Sequence, residues 1–364
     1  MTSRNARTMT ARLLWILAFC PVLALAQPKT WEDYMAAGKS AYQQGRYTEA
    51  EKLFEAALKV AEGFGPRDPS LARSLDDLAT LYYLQGKYTD AEPLRQRALA
   101  IWEKVLGPEH PGVATSLNDL GELYSSQGKY AEAERLFQRA LGIRERRLGL
   151  THVQVAESLN DLAVLFGSEG RYADAEPLYK RALEIREKAL GPEHPHVAVS
   201  LHNLAVLYVS QRRYADAEPL YKRALAIWEK TPGPRQADVA TCLNNLAWLY
   251  SSQGMYVEAE PLITRALGMR EKVLGPEHPD VAASLNSLAN LYRAQSRYAE
   301  AEPLYKRALG IRAKALGPEH PAVATSMENY ADLLQKMNRG AEAAQLEATA
   351  RGIRAIHSVH NPVQ

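Results

Sequence analysis

The chain has 364 residues, with 44 basic side chains against 42 acidic ones and a formal net charge of +2. So even a balance gives no reason to expect nucleic acid or an anionic membrane as partner. Only two cysteines are present, Cys20 and Cys242.

Residues 1–26 differ from everything after them. Arg4, Arg7 and Arg12 precede an apolar run from Leu13 to Ala26, and Ala24-Leu25-Ala26 is a small-residue cleavage site. This pattern predicts a secretory signal peptide over 1–26, cut after Ala26, with Gln27 as the mature N-terminus. A retained membrane helix would need about 20 apolar residues, and Pro21 interrupts a shorter run. Phe19 before Cys20 argues against a lipoprotein, which takes a small residue there. The expected location is exported, periplasmic or secreted, with no stable membrane insertion after cleavage. Loss of three arginines leaves 41 basic against 42 acidic side chains. Cys242 then stands alone, so no internal disulfide can form. It replaces the serine found at Ser200 and Ser284 and reads as a small packed side chain.

From Trp31 onward the chain repeats. Gly65, Gly107, Gly149, Gly191, Gly233, Gly275 and Gly317 recur every 42 residues, and Tyr88, Tyr130, Tyr172, Tyr214, Tyr256 and Tyr298 keep the same step. A fixed period of this size signals a solenoid or array. It divides the mature chain into copies at 27–64, 65–106, 107–148, 149–190, 191–232, 233–274, 275–316 and 317–357, with a tail at 358–364.

Each copy carries two helical patterns. In the third, Val113, Leu117, Leu120, Gly121 and Tyr124 fall on one side of a helix, and Thr115, Asp119, Glu122 and Ser126 on the other. Gln127-Gly128-Lys129 breaks the pattern, and Ala133, Leu136, Phe137, Ala140, Leu141 and Ile143 form a second apolar face. Thr48 to Glu51 and Thr89 to Glu92 read as capping boxes opening the second helix. Pro93, Pro177, Pro219, Pro261 and Pro303 are expected in its first turn. The periodic glycine should end it in the left-handed conformation. In Glu-His-Pro, proline suits the first helical position, so the histidine becomes the N-cap; Asp68 holds that slot before Pro69.

The copies are not identical. The first helix of copy one, with Tyr34, Ala37, Gly38 and Ala41, is less apolar, as suits an end repeat. Pro232 sits where leucine belongs and should shorten the second helix of copy five, making the junction with copy six the point of easiest local opening. The second helix of copy eight is rich in Ala, Glu and Gln and reads as a C-terminal cap, and the residues from His357 on as a frayed end.

Leu117, Leu120, Gly121 and Tyr124, with Ala175, Tyr179 and Ala182, resemble the tetratricopeptide repeat in its longer 42-residue form, as in kinesin light chains. LNNLAWLY at 243–250 and YKRALAIWEK at 221–230 are especially similar. The resemblance covers about 31–357 and implies an all-α fold, a right-handed α-solenoid of about eight stacked helix–turn–helix repeats. It also implies a non-enzymatic scaffold or adaptor that holds a protein or extended peptide in its concave groove. No heptad coiled coil precedes the repeats, so a motor role is not implied.

First helices should line that groove. A helical wheel places Asp77, Asp119, Glu122, Glu157 and Asp161 there in copies two to four, and asparagines, small residues and Trp248 in copies five to seven. Asparagine can both donate to and accept from a peptide backbone, and tryptophan is a large anchor. The candidate peptide-binding residues are Asn118, Asp119, Glu122, Asn160, Asp161, His202, Asn203, Asn244, Asn245, Trp248, Asn286 and Asn290. The carboxylates call for a ligand that is basic or neutral there and apolar near Trp248. Related repeats use groove Lys or Arg for acidic motifs, and this chain departs from them.

Catalytic residues, a metal site and a cofactor are not expected. His110, His152, His194, His278 and His320 occur once per copy, so their rings should stand about one helix-packing distance, roughly 10 Å, apart; zinc ligands must converge within about 2.0–2.3 Å of one ion. The pairs Lys180-Arg181, Lys222-Arg223 and Lys306-Arg307 read as a solvated outer face. An alternative to ligand binding is structural: copies stacking end to end into a homo-oligomer.

Overall fold

The computed structural model describes residues 30–231 and 236–359, and every regular element among them is an α-helix. The expected signal peptide, Pro232 and the last five residues lie outside these ranges. The first helices of the copies are α1 (Trp31–Gln43), α3 (Pro69–Leu84), α5 (Pro111–Ser126), α7 (Val153–Ser168), α9 (Pro195–Ser210), α11 (Gln236–Ser252), α13 (Pro279–Ala294) and α15 (Pro321–Lys336). Their partners are α2 (Tyr47–Glu62), α4 (Tyr88–Leu106), α6 (Tyr130–Leu148), α8 (Tyr172–Leu190), α10 (Tyr214–Lys230), α12 (Tyr256–Leu274), α14 (Tyr298–Leu316) and α16 (Gly340–Val359). Each helix packs on the next in sequence, and first helices also meet the next first helix, as α5 with α7 and α11 with α13. First helices therefore line the inner curve. The helix α16 runs on past His357, where fraying was expected.

The apolar faces are buried as their period requires. Val113, Leu117, Leu120 and Gly121 are buried on α5, and Ala133, Phe137, Ala140 and Ile143 on α6. Size is matched across the pair: a Cβ on Gly121 would stand 2.8 Å from the Phe137 ring, so glycine makes room for phenylalanine.

The inter-repeat histidines cap helices. Nδ1 of His110, His152, His194, His278 and His320 accepts the backbone N–H two residues on, at 3.0–3.2 Å. Asp68 does the same with its carboxylate at 2.7 Å. Each such histidine must leave Nδ1 unprotonated to cap.

Three local expectations are corrected. Thr48 and Thr89 are not caps: α2 and α4 already begin at Tyr47 and Tyr88, behind Arg46 and Lys87, which make no side-chain cap. The capping box is at Thr30 and Asp33, before α1. The five prolines lie deeper than the first turn; Pro93 is the sixth residue of α4, so one helical hydrogen bond is forgone. Gly191 has φ 91° and ψ 153°, a positive-φ extended conformation rather than the left-handed helical one. Only glycine adopts it without strain, so the residue type is needed for a different reason.

Successive copies are joined by a clasp. In copies two to five and seven a cation in the helix–helix turn reaches back to a glutamate on the preceding second helix and lies over an aromatic ring of its own copy. Arg213 is 2.9 Å from Glu176 with its guanidinium 4.0 Å from the Tyr208 ring centre, and Arg297 repeats this with Glu260 and Tyr292. Lys87, Lys129 and Arg171 use Glu51, Glu92 and Glu134. Copy six has Met255 in this position.

The same junction departs from its neighbours twice more. Between copies three and four, four and five, and six and seven a buried arginine ties the second helix to the next copy: Arg144 to Ser158, Arg186 to Ser200 and Arg270 to Ser284, at 2.7–2.9 Å, while Trp102 holds that position between copies two and three and donates to Asp76 instead. Between copies five and six the pair is Trp228 and Cys242, and the Trp228 Nε1 has no partner among the described residues. Cys242 is buried, with its thiol pushed up to about 12 by desolvation, so it is packed and unreactive. The helix α10 ends at Lys230, two residues earlier than the 19-residue helices around it. Met255→Arg should restore the clasp to Glu218 and Tyr250 and add about 0.5–1 kcal/mol. Slower amide exchange in α11 would report it, and unchanged exchange would deny the clasp a stabilising role.

Candidate binding groove

The groove is built from one helix position repeated at the 42-residue step. Thr80, Glu122, Val164, Val206, Trp248, Asn290 and Asp332 occupy it in order. Three consecutive members are apolar and open: Val164 is 45 % exposed, Val206 39 % and Trp248 54 %. Leucines two positions earlier, such as Leu204 and Leu246, are buried in the same helices. The apolar stripe is therefore a feature of the inner face, not a slip of helix phase.

Below the stripe runs a polar ladder that holds adjacent first helices together. Asn118 Nδ2 donates to Asp161 at 2.5 Å, Asn203 Nδ2 to Asn160 at 2.7 Å, and Asn245 Nδ2 lies 3.2 Å from His202 Nε2. Asn244 and Asn286 donate to Ser284 and Ser326 at 3.0 Å. Asn290 accepts from the Tyr305 hydroxyl. Desolvation pushes His202 down to about 4, and its ring meets the Tyr221 edge at 5.4 Å.

The expected site residues thus separate. Glu122 and Trp248 are exposed to the groove. Asp119, Asn160, Asp161, His202, Asn203, Asn245 and Asn290 line its wall half-buried, and most are engaged with a neighbouring copy. Asn118, Asn244 and Asn286 are buried between helices and are corrected from groove-facing to inter-repeat ties. These three share one helix position with Asn160 and His202, one residue nearer the core face than Asp119, Asn245 and Ser287, and are the members of it that sit deepest.

The carboxylates of copies two to four are not simply solvated. Arg95 is buried and donates to Asp119 at 2.9 Å, to Asp76 at 3.2 Å and to Thr80 at 2.8 Å. Trp102 Nε1 also donates to Asp76. Desolvation raises Asp76 to about 6 despite Arg95, and Asp161 to about 6. Desolvation in the concave wall, then Asp161 and Asp119, raise Glu122 to about 7, against a smaller lowering by Arg95. A cleft of about 230 Å³, lined in part by Tyr83, Leu84, Arg95, Asp119 and Glu122, opens at this end. The arginines are what sequence reasoning missed. For Arg144 and Arg186 the signal was the isoleucine–arginine pair at the 42-residue step; for Arg95 it was a cation in the slot that Phe137 and Tyr179 fill in later copies.

Stacked helix pairs of one period, curved with first helices inside, define a helical repeat solenoid. A family model for the tetratricopeptide repeat matches the chain in seven overlapping stretches, 34–94, 78–146, 121–188, 154–229, 197–272, 252–314 and 280–355. The chain belongs to the tetratricopeptide repeat family. Among solved structures it is similar to a putative kinesin light chain of Podosopora anserina with nearly identical TPR-like repeats. That match has 29 % identity, covers 57 % of this chain and 98 % of that one, and has a TM-score of 0.47. It is also similar to BtubC (BKLC) from P. vanneervenii, at 24 % identity over 68 % and 93 % of the two chains, TM-score 0.49. A Rap protein solved in complex with Competence and Sporulation Factor shares the fold at 13 % identity, over 91 % and 99 % of the chains, TM-score 0.54. No curated protein matches it.

Proposed function

We propose that this protein is a non-enzymatic adaptor that holds an extended segment of a partner protein in its concave groove. The carrying observation is the open stripe of Val164, Val206 and Trp248, on a face where other copies are polar. A protein left without a ligand has no use for three aligned apolar side chains in water. The acidic end at Asp119, Glu122 and Asp161 selects a basic residue beside the apolar one, because a cation there relieves the mutual repulsion of carboxylates. The Rap complex supports the use of this fold for holding a ligand.

A peptide-display selection tests the reading. Wild-type protein should enrich sequences pairing an aromatic or branched apolar residue with Lys or Arg. Trp248→Ala with Val206→Ser should lose them while circular dichroism stays helical. Equal enrichment by both proteins would remove the groove from the account.

We further propose export, on the pattern of residues 1–26. N-terminal sequencing of protein from the periplasm or medium should begin at Gln27; an intact Met1 would refute cleavage. Among the described residues no helix is long and apolar enough to cross a membrane.

A further inference from the structure

Copies far apart in sequence touch. The turn between α1 and α2 lies against the start of α13: a Cβ on Gly45 would stand 3.0 Å from His278 Cδ2. The turn between α3 and α4 lies against the start of α15, where a Cβ on Gly86 would stand 3.2 Å from Pro321 Cδ. There His320 Nε2 is 3.1 Å from the Leu84 carbonyl oxygen. Because His320 Nδ1 accepts from Ala322, Nε2 carries the proton and donates to Leu84. His278 and His320 are half-buried, as is His194, which stacks on His196, whereas His110 and His152 are exposed. The Asp280 carboxylate is near enough to help raise the phenols of Tyr42 and Tyr47. Copies one and two therefore rest on copies seven and eight, and the solenoid closes a full turn.

Among the described residues the seam holds the His320–Leu84 hydrogen bond and close contacts at two glycine turns. Diagonally across the turn, the junction of copies five and six lacks the clasp at Met255 and the arginine–serine tie at Trp228 and Cys242. Val206 on α9 and Trp248 on α11 stand on either side of that junction.

We propose that the solenoid works as a clamp: the seam is its latch, the junction of copies five and six its hinge, and the closed turn admits an extended chain to the groove while excluding a folded domain. The ligand half rests on the groove reading above; the latch stands without it. An occupant bridging Val206 and Trp248 spans the hinge and holds the turn closed.

A matched pair of variants tests the latch. Gly45→Arg with Gly86→Arg crowds the seam. Gly128→Arg with Gly170→Arg imposes the same backbone strain, at turns of φ 75° and 73° where an added Cβ meets nothing within 4 Å. Arg212 already fills the equivalent turn at φ 59°, so the turn accepts arginine. Small-angle scattering should show a larger radius of gyration for the seam variant alone. Trp248→Cys, in full chains with Cys20→Ser and Cys242→Ser, supplies the second reading. A small maleimide should label it readily, and a maleimide carried on a globular protein should label it about tenfold faster once the seam is crowded. Equal radii and equal labelling in the two variants would overturn the latch, as would a Trp248→Cys chain with its seam unchanged that both reagents label alike. If display shows no dependence on Trp248 while the seam variant still expands, the ligand reading fails and the latch remains.

Discussion

Replacing Leu204 by alanine is expected to cost about 2–5 kcal/mol. Leu204 is 4 % exposed and belongs to the cluster that also holds Leu201, Tyr208, Tyr221 and Trp228. Removing its branched end withdraws apolar surface from the core and leaves a cavity that the bulky rings around it cannot collapse to fill. Copy five packs on its sequence neighbours and lies outside the seam, so the loss stays local. Amide exchange should quicken in α9, α10 and α11, beside a junction that already lacks its clasp, while α5 and α15 keep their protection. A neutral substitution would mean that the phase assigned to α9 is wrong, and with it the exposure of Val206.

Arg95→Leu is the second large effect, and it carries a pH signature. The guanidinium faces Asp76 and Asp119, and its loss leaves half-buried Asp76 without a cation and Asp119 with Arg144 alone. Breaking such a cluster from one side costs about 2–3 kcal/mol near pH 8, less than for a fully buried pair because water reaches Asp119. The sign follows from linkage. Asp76 is already raised to about 6 in the folded protein, from 3.8, so its ionisation lowers stability as pH rises through that value. Without Arg95 the rise is greater, and so is the penalty above pH 6. At pH 5 the folded variant keeps its carboxyls protonated, so the gap from wild type should shrink. Thermal melts at both pH values measure this. A gap independent of pH would show that the arginine acts through packing alone.

The helix pairs and the buried faces were legible because period 42 keeps every apolar position in register, and one copy explains the rest. Histidine caps were legible because Asp68 fills the same slot before a proline. What failed was fine phase. Thr48 and Thr89 look like caps until Tyr47 and Tyr88 are seen to be helical already. The two asparagines of LNNL are a single residue apart, about 100° around a helix, and that rotation separates buried Asn244 from wall-lining Asn245. Val164 and Val206 were on the inner face by the wheel but drew attention only once their alignment with Trp248 was seen. The seam was beyond sequence reasoning altogether. It depends on a small rotation at each junction summed over six copies, and the period fixes the repeat without fixing that angle.

The central claim is that the ligand lies on the inner face, and site-specific photo-crosslinking in living cells tests it most directly. A photoreactive residue would be placed at Val206 in the groove, and separately at Glu258 near the start of the outer helix α12. The account predicts a partner adduct from Val206 that disappears when Trp248 is also changed to alanine, and none from Glu258. Adducts formed from Glu258 alone would place the partner on the convex face and contradict it.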